Sequence, residues 1–372
     1  MIVVVATMLA CYGGMHYYLF RKLCWIFPQH RKLLALLITA VAISVIAIYI
    51  LASSGIVSFL NFLIWITAIW LGFIFIFLSI AAFIDLLFWL LINLPKYKAA
   101  QRIEQRTRAL AILMLAVVVS IYGFVSAQHV AVLSYNLHSS KLEKPLTVVQ
   151  ISDLHLSLLS KPRQIESLVS RINALHPDII VSTGDLVDMQ AHQLNGFSQI
   201  LAGLQATIGK YAIFGNHEAF VGREESAAFF ANAGFELLSN QLASPRQDLS
   251  VVGVDDPAIE GRLNHQVDPA KEVALLTQTS SQRFTLLLKH QPVISPASRG
   301  LFDLQLSGHT HHGQIFPFSW LVRIIYRAPF GLSQVTPTSW LYVSNGTGTW
   351  GPPMRVLAEP EISVFYLRPN SG

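Results

Sequence analysis

Apolar positions in this chain follow two regimes. Up to about residue 127 they form long unbroken runs, and beyond it they shorten into β-branched stretches that end in Gly or Ser and then in polar side chains. A membrane-spanning helix needs about 20 apolar residues, and residues 2–20, 33–52, 56–94 and 109–127 supply them. The 56–94 run is long for one span but has no Pro and no charge before Asp85. It reads as one tilted helix whose last turns lie at or beyond the interface, with a split into two spans near Gly72 as the competing reading. Past a linker at 129–145, strands are predicted at Leu146–Ile151, Ile179–Ser182, Tyr211–Phe214, Leu249–Val254 and Phe284–Lys289. Helical spacing of Ile165, Leu168, Val169, Ile172 and Leu175 before Pro177 predicts a helix between the first two strands, and another is expected near Phe197–Leu204.

Charge divides the chain at the same place. Residues 1–128 hold nine Lys/Arg and two acids, a balance of +7, and the remainder holds 17 basic and 19 acidic residues, a balance of −2. The basic excess lies in loops 21–32 and 95–108, while Ser53-Ser54-Gly55 is neutral. Cytoplasmic loops accumulate Lys and Arg. Four spans place both basic loops inside and everything after Ala127 on the extracytoplasmic side of a plasma or inner membrane. Five spans would divide those loops between the two sides. The soluble part carries no basic excess that would indicate nucleic acid. Cys11 and Cys24 both lie in the apolar third, so residues 129–372 have no disulfide or thiolate site. Asp85 reads as an interfacial residue, since no second intramembrane charge is evident as its partner.

Each soluble strand empties into ligand-type residues. Leu146–Ile151 leads to Asp153 and His155, two residues apart and expected on one side of an extended backbone. Ile179–Ser182 leads to Gly184-Asp185 and Asp188, and Tyr211–Phe214 leads to Gly215-Asn216-His217-Glu218. Phe284–Lys289 leads to His290, and Leu304–Ser307 leads to Gly308-His309-Thr310-His311-His312. The last cluster alone fits a metal loop or a solvated loop equally, and the upstream blocks favour metal. Ligands in α/β sheets bind beyond the carboxyl ends of strands, so these blocks should converge. Asp153, His155, Asp185, Asn216, His290, His309 and His311 form an oxygen/nitrogen set suited to manganese, iron or zinc. Seven ligands exceed one tetrahedral centre and imply two metals, an arrangement that serves in-line displacement at phosphorus by a metal-bound water.

In order and spacing these five blocks resemble the calcineurin-like metallophosphoesterases over about residues 145–367, and the preceding apolar spans are similar to the membrane-anchored branch of that family. The resemblance implies an αββα sandwich of two mixed sheets flanked by helices. It assigns one metal to Asp153, His155, Asp185 and His311, and the other to Asp185, Asn216, His290 and His309, with Asp185 bridging. His217 would stabilise or protonate the leaving oxygen, with Asp188 orienting the ligands from just outside them. The implied protein is a membrane-anchored phosphomonoesterase or phosphodiesterase that uses a metal-bridging hydroxide, and an outer-face site is compatible with lipid, nucleotide or other envelope phosphoesters without choosing among them. A non-catalytic metal-dependent sensor or scaffold is the alternative, and a transporter accessory is disfavoured by the few polar groups in the spans. Glu218 stands where many members have Asp and is not read as a ligand.

Other signals are weaker. Gly346-x-Gly348-x-x-Gly351 matches a dinucleotide fingerprint, but Pro352-Pro353 forbids the helix it requires. Asn345 and Arg355 beside it are candidate phosphate contacts, with a surface loop equally compatible. His312 reads as a solvated spare with substrate contact as the alternative, and Lys161 and Arg163 read as a solvated face. The apolar stretch 316–340 is open between core and a membrane-facing lip for lipid-like substrates.

Overall fold

The structure, a computed structural model, describes residues 2–53, 61–92, 104–188, 194, 196–261, 269–328 and 330–370. Two compact units divide the chain: Met1–Ser126 with Gly351–Val356, and Ala127–Trp350 with Leu357–Gly372.

In the first unit, α1 (Ile2–Ile26) continues past residue 20 through Arg21 and Lys22, because basic side chains do not break a helix. Pro28, with no N–H to donate, marks the turn into α2 (Arg31–Ser53). Next, α3 (Asn61–Ile92) runs without interruption through Gly72, and α4 (Gln105–Ser126) follows. Three stretches among the described residues, Pro28–Ile48, Asn61–Leu91 and Gln105–Ser126, are long and apolar enough to cross a membrane. The neutral loop at 54–55 and most of the basic loop at 95–108 lie outside the described residues. Asp85 has the partner that the sequence did not reveal. Lys22 Nζ lies 2.7 Å from its Oδ1 and Arg108 Nε 3.8 Å away, and Tyr18 donates its hydroxyl to the same carboxylate. The reason is geometric: Lys22 stays on the extended α1 instead of entering a loop.

In the second unit, β1 (Ala131–Ser139) lies inside the stretch read as a linker and is separated from the end of α4 by four residues. Its mixed, largely exposed pattern concealed it, yet it pairs in parallel with the last strand over its full length. The chain continues through β2 (Leu146–Ile151), α5 (Pro162–Asn173), β3 (Ile179–Ser182), α6 (Phe197–Ala202), β4 (Gly209–Ala212), α7 (His217–Val221), α8 (Arg223–Asn232) and β5 (Glu236–Leu237). It then forms β6 (Gln241–Arg246), β7 (Leu249–Val254), α9 (Pro269–Leu276), β8 (Phe284–Lys289), β9 (Leu304–Ser307), α10 (Phe318–Tyr326), β10 (Gly331–Thr336), β11 (Ser339–Val343) and β12 (Glu361–Pro369).

The strands form two mixed sheets, ordered β1-β12-β2-β3-β4-β5 and β10-β11-β9-β8-β7-β6. Strand alternation sorts side chains into three layers. Val148, Ile179 and Val181 meet Leu286, Leu288, Leu304 and Leu306 between the sheets. Val149, Ile151 and Ile180 face the other way, onto Ile165, Leu168 and Ile172 of α5. Leu287 and Val252 pack with Leu276 of α9. Parallel strands buried on both faces read as continuous apolar runs, which is why β2, β3, β7 and β8 were visible in the sequence.

Candidate metal centre

Parallel strands of both sheets deliver polar loops at their carboxyl ends. The loops after β2 and β3 are joined edge to edge: Asp153 N–H donates to Gly184 O at 3.1 Å, His155 N–H to Asp185 O at 3.0 Å, and Asp188 N–H to Leu156 O at 3.0 Å. This pairing corrects one expectation. Asp153 and His155 do not share a side through an extended backbone, because both are left-handed, with φ of 52° and 49°. Asp185, His309 and His311 are left-handed too, at φ 53°, 70° and 48°. Non-glycine residues in such conformations each cost about 1–3 kcal/mol and persist where the surroundings over-determine them. Gly184, at φ 94°, is needed for a second reason: a Cβ there would lie 2.6 Å from Gly215 N and 2.8 Å from His290 Nδ1.

Three groups of candidate ligand atoms result, each with its atoms within 4.8 Å of one another: Asp153, His155 and His311; Asp185, His290 and His309; and His155, Asp185 and His217. Asp185 belongs to two of them. Nε2 of His290 lies 3.1 Å from Asp185 Oδ2, 3.1 Å from Asn216 Oδ1 and 3.1 Å from His309 Nδ1. Its Nδ1 lies 2.8 Å from Thr183 O, a carbonyl that takes the ring's N–H and leaves Nε2 free as an electron-pair donor. Asp188 does the same for two rings at once, its Oδ1 lying 2.5 Å from His155 Nδ1 and 2.9 Å from His217 Nδ1. Asp153 accepts Ser152 Oγ–H at 2.5 Å and His309 N–H at 2.9 Å.

Electrostatics match this arrangement. Burial works against ionisation of Asp185, but the neighbouring His290, His217 and His155 imidazoles outweigh it and hold its carboxyl well below the usual range. Burial also opposes charge on His217, yet hydrogen bonding to Asp188 and the charge of Asp185 push it up to about 9. At Asp188, burial is outweighed by His155 and His217, and the carboxyl sits below its ordinary value.

The donor set, imidazole nitrogens and carboxylate oxygens converging on one another, is of a kind that holds metal ions. Nε2 of His155 and Nε2 of His311 face each other at 2.8 Å while Nδ1 of His155 is already committed to Asp188. Two imidazole nitrogens so aimed, beside a buried Asp153 with its Oδ1 3.5 Å from His311 Nε2, converge as ligands do. Asp185 is shared between the group with His155 and His217 and the group with His290 and His309, and its Oδ2 lies 3.9 Å from His155 Nε2.

Other expected residues lie elsewhere. His312 packs its ring 3.7 Å from that of Phe330, so it is half-buried rather than a solvated spare. Asn345 directs its amide at Glu359 O, 3.4 Å away. Arg355 is fully buried in the 351–356 segment of the helical unit, where its N–H donates to Gly123 O at 2.8 Å. Lys161 and Arg163 are exposed at the start of α5, as a solvated face would be.

Two residues of the site went unread in the sequence. Glu218 is fully buried, and its carboxylate accepts the N–H groups of Asp185, Leu186, Val187 and Gly215 at 3.0, 2.7, 3.2 and 2.7 Å. It ties the loop after β3 to the loop after β4, and burial together with Asp185 pushes it up to about 7. An acid directly after His217 was its signal. Tyr326, with its hydroxyl 2.6 Å from His309 Nε2, had none, because the contact depends on α10 folding back onto the 308–314 loop.

A family model described as calcineurin-like phosphoesterase matches residues 146–313. An uncharacterized metallophosphoesterase of Aquifex aeolicus is 32% identical over 69% of this chain and 98% of its own length. The zebrafish (Danio rerio) transmembrane protein with metallophosphoesterase domain is 31% identical over 69% of this chain and 62% of its own. The chain spans 63% of the length of a Helicobacter pylori relative that is 34% identical to it. Among solved structures, a dimetal phosphatase from Danio rerio is similar with a TM-score of 0.41 and 12% identity, over 61% of this chain and 94% of that one.

Proposed function

The chain belongs to the calcineurin-like metallophosphoesterases, metal-dependent hydrolases of phosphoric esters, and from that premise we propose that it is a membrane-anchored phosphoesterase with a binuclear centre acting on phosphomonoesters or phosphodiesters. The observation that carries this reading is the sharing of Asp185 between two ligand groups, with His217 beside it. In this reading Asp153, His155, Asp185 and His311 hold one cation, and Asp185, Asn216, His290 and His309 hold the other. When bound, manganese, iron or zinc supplies Lewis acidity toward the phosphoryl oxygens and lowers the pKa of an attacking water.

The protein's own residues do the rest. Asp188 holds the His155 and His217 rings by their Nδ1 atoms, leaving each Nε2 directed into the site. His217 thereby keeps a proton on Nε2 for the departing oxygen. As a water oxygen bonds to phosphorus in line, the ester P–O bond breaks, the leaving oxygen takes that proton, and the proton released by the water restores His217. Exposed Phe220 and Trp350 flank His217, with ring centroids 5.9 and 6.0 Å away, and narrow the approach of bulk water. A site that only bound a ligand would have no use for such a proton donor, which favours an enzyme over a sensor or scaffold.

The apolar helices α1 to α4 are proposed as four spans, and the basic residues around the α1–α2 turn with the basic run before α4 support an extracytoplasmic catalytic unit. Full-length protein with Mn²⁺ should hydrolyse bis(p-nitrophenyl) phosphate. Asp185→Asn and His217→Ala should each lower turnover by roughly 10²–10⁴-fold, the range for loss of a general acid. Turnover indifferent to both substitutions refutes the mechanism.

A further inference from the structure

Directly after the 308–314 loop, α10 shows solvent an apolar surface. Trp320, Ile324 and Ile325 are 61%, 72% and 61% exposed, with Phe318 and Leu321 also exposed, and Val322 is the buried apolar residue that seats the helix. Contiguous large apolar side chains on a surface mark an interaction site. The same helix end carries exposed Arg323 and Arg327, and no Asp or Glu occurs between Asp303 and Glu359. Trp, Ile and Leu on one face with Arg beside them is the composition of a helix lying in a membrane interface, where apolar side chains enter the acyl boundary and cations meet anionic headgroups.

Two further observations select the occupant and the purpose. Four residues separate α4, an apolar helix long enough to span, from β1. Fully extended they reach only about 14 Å, so the start of β1 is tethered within that reach of the end of α4. And α10 is coupled to the chemistry: Tyr326 in its last turn places its hydroxyl 2.6 Å from His309 Nε2.

We infer that α10 is an interfacial helix that docks the catalytic unit on an anionic lipid surface, and that the phosphoester hydrolysed is presented from that surface. This deepens the phosphoesterase reading and rests on it for the identity of the reaction. Docking has its own readout. A nitroxide on Ile324→Cys in a Cys11→Ala background would be measured on full-length protein in nanodiscs of phosphatidylcholine and phosphatidylglycerol. Greater accessibility to oxygen than to a water-soluble nickel chelate supports immersion. The reverse overturns docking, and a label shielded from both reports a protein partner or second copy and overturns lipid docking as well.

Presentation is tested in mixed micelles with two diesters sharing a p-nitrophenolate leaving group, bis(p-nitrophenyl) phosphate and a diacylglyceryl p-nitrophenyl phosphate. The combined Trp320→Ser, Ile324→Ser and Ile325→Ser variant should raise KM for the lipid diester at least about tenfold, as expected from lost apolar burial, and leave the soluble diester unchanged. Equal loss on both substrates, or on neither, overturns presentation. An immersed label on the Ile324→Cys protein, together with wild-type protein that hydrolyses neither diester, refutes the phosphoesterase reading and presentation with it, and leaves docking standing.

Discussion

Glu218 shows how a residue outside the ligand set can set the site's geometry. Four backbone N–H groups from two loops converge on its carboxylate in a fully buried position. Of those donors, Asp185 is itself proposed to hold both cations, and Gly215 precedes Asn216, proposed to hold one. A buried donor left without a partner costs about 1–3 kcal/mol. Glu218→Ala orphans four, so it should destabilise the protein by at least about 3 kcal/mol on the same principle. Glu218→Gln keeps one acceptor oxygen and should lie between wild type and Ala. Thermal unfolding in detergent without added metal measures both, and an Ala variant as stable as wild type would show that the loops hold themselves. Sequence alone did not assign this role, since a carboxylate's backbone partners appear only when two loops distant in the chain are brought together.

At the scale of elements, visibility followed burial. Strands β2, β3, β7 and β8 are buried on both faces and appear as apolar runs, and α5 appears through Ile165, Leu168, Val169 and Ile172. The half-exposed β1 does not, and its partner β12 lies some 230 positions away. The candidate ligand residues were visible because each follows a strand, whereas the left-handed backbone that aims several of them was not. The α1–α3 contact was hidden as well, and it carries a prediction. Lys22→Met removes the closest cation from Asp85 and should lower the melting temperature in detergent, while Lys22→Met with Asp85→Leu should recover it, because an unpaired charge costs more than a missing pair. A double variant no more stable than the single would dismiss the pair as an organiser. Where β6 turns into β7, Asp248 accepts Glu143 N–H at 2.7 Å and the guanidinium of Arg246. Burial opposes its ionisation, but Arg246 and that amide outweigh it and hold the carboxyl below its ordinary value. A carboxylate lowered on folding stabilises above its unfolded pKa of about 3.9 and loses that contribution as pH falls through the folded value. The stability gap between wild type and Asp248→Asn should therefore be constant near neutrality and close below about pH 4. A gap that widens on acidification contradicts the assignment.

For the molecule as a whole, the proposal turns on which side of the membrane the catalytic unit occupies, and charge and helix continuity bear on it independently. The first 128 residues carry +7 against −2 for the rest, so the basic excess lies in the apolar third. With α3 unbroken through Gly72, the proposed four spans would put the basic residues around the α1–α2 turn and the catalytic unit on opposite sides. A break at Gly72 would have put them on the same side. Thr338, exposed between β10 and β11, and Lys32, at the start of α2, report the two sides. In cells whose inner membrane is intact, a membrane-impermeant maleimide should label Thr338→Cys and leave Lys32→Cys unmodified until lysis, each in a Cys11→Ala background. Protection of Thr338→Cys with labelling of Lys32→Cys would invert the topology. Labelling of both, or of neither, would place the two positions on one side and return the count to an odd number. The inverted result would also redirect the search for substrate, since a site facing the cytoplasm meets the inner-leaflet lipids and soluble nucleotides that an outward-facing one does not.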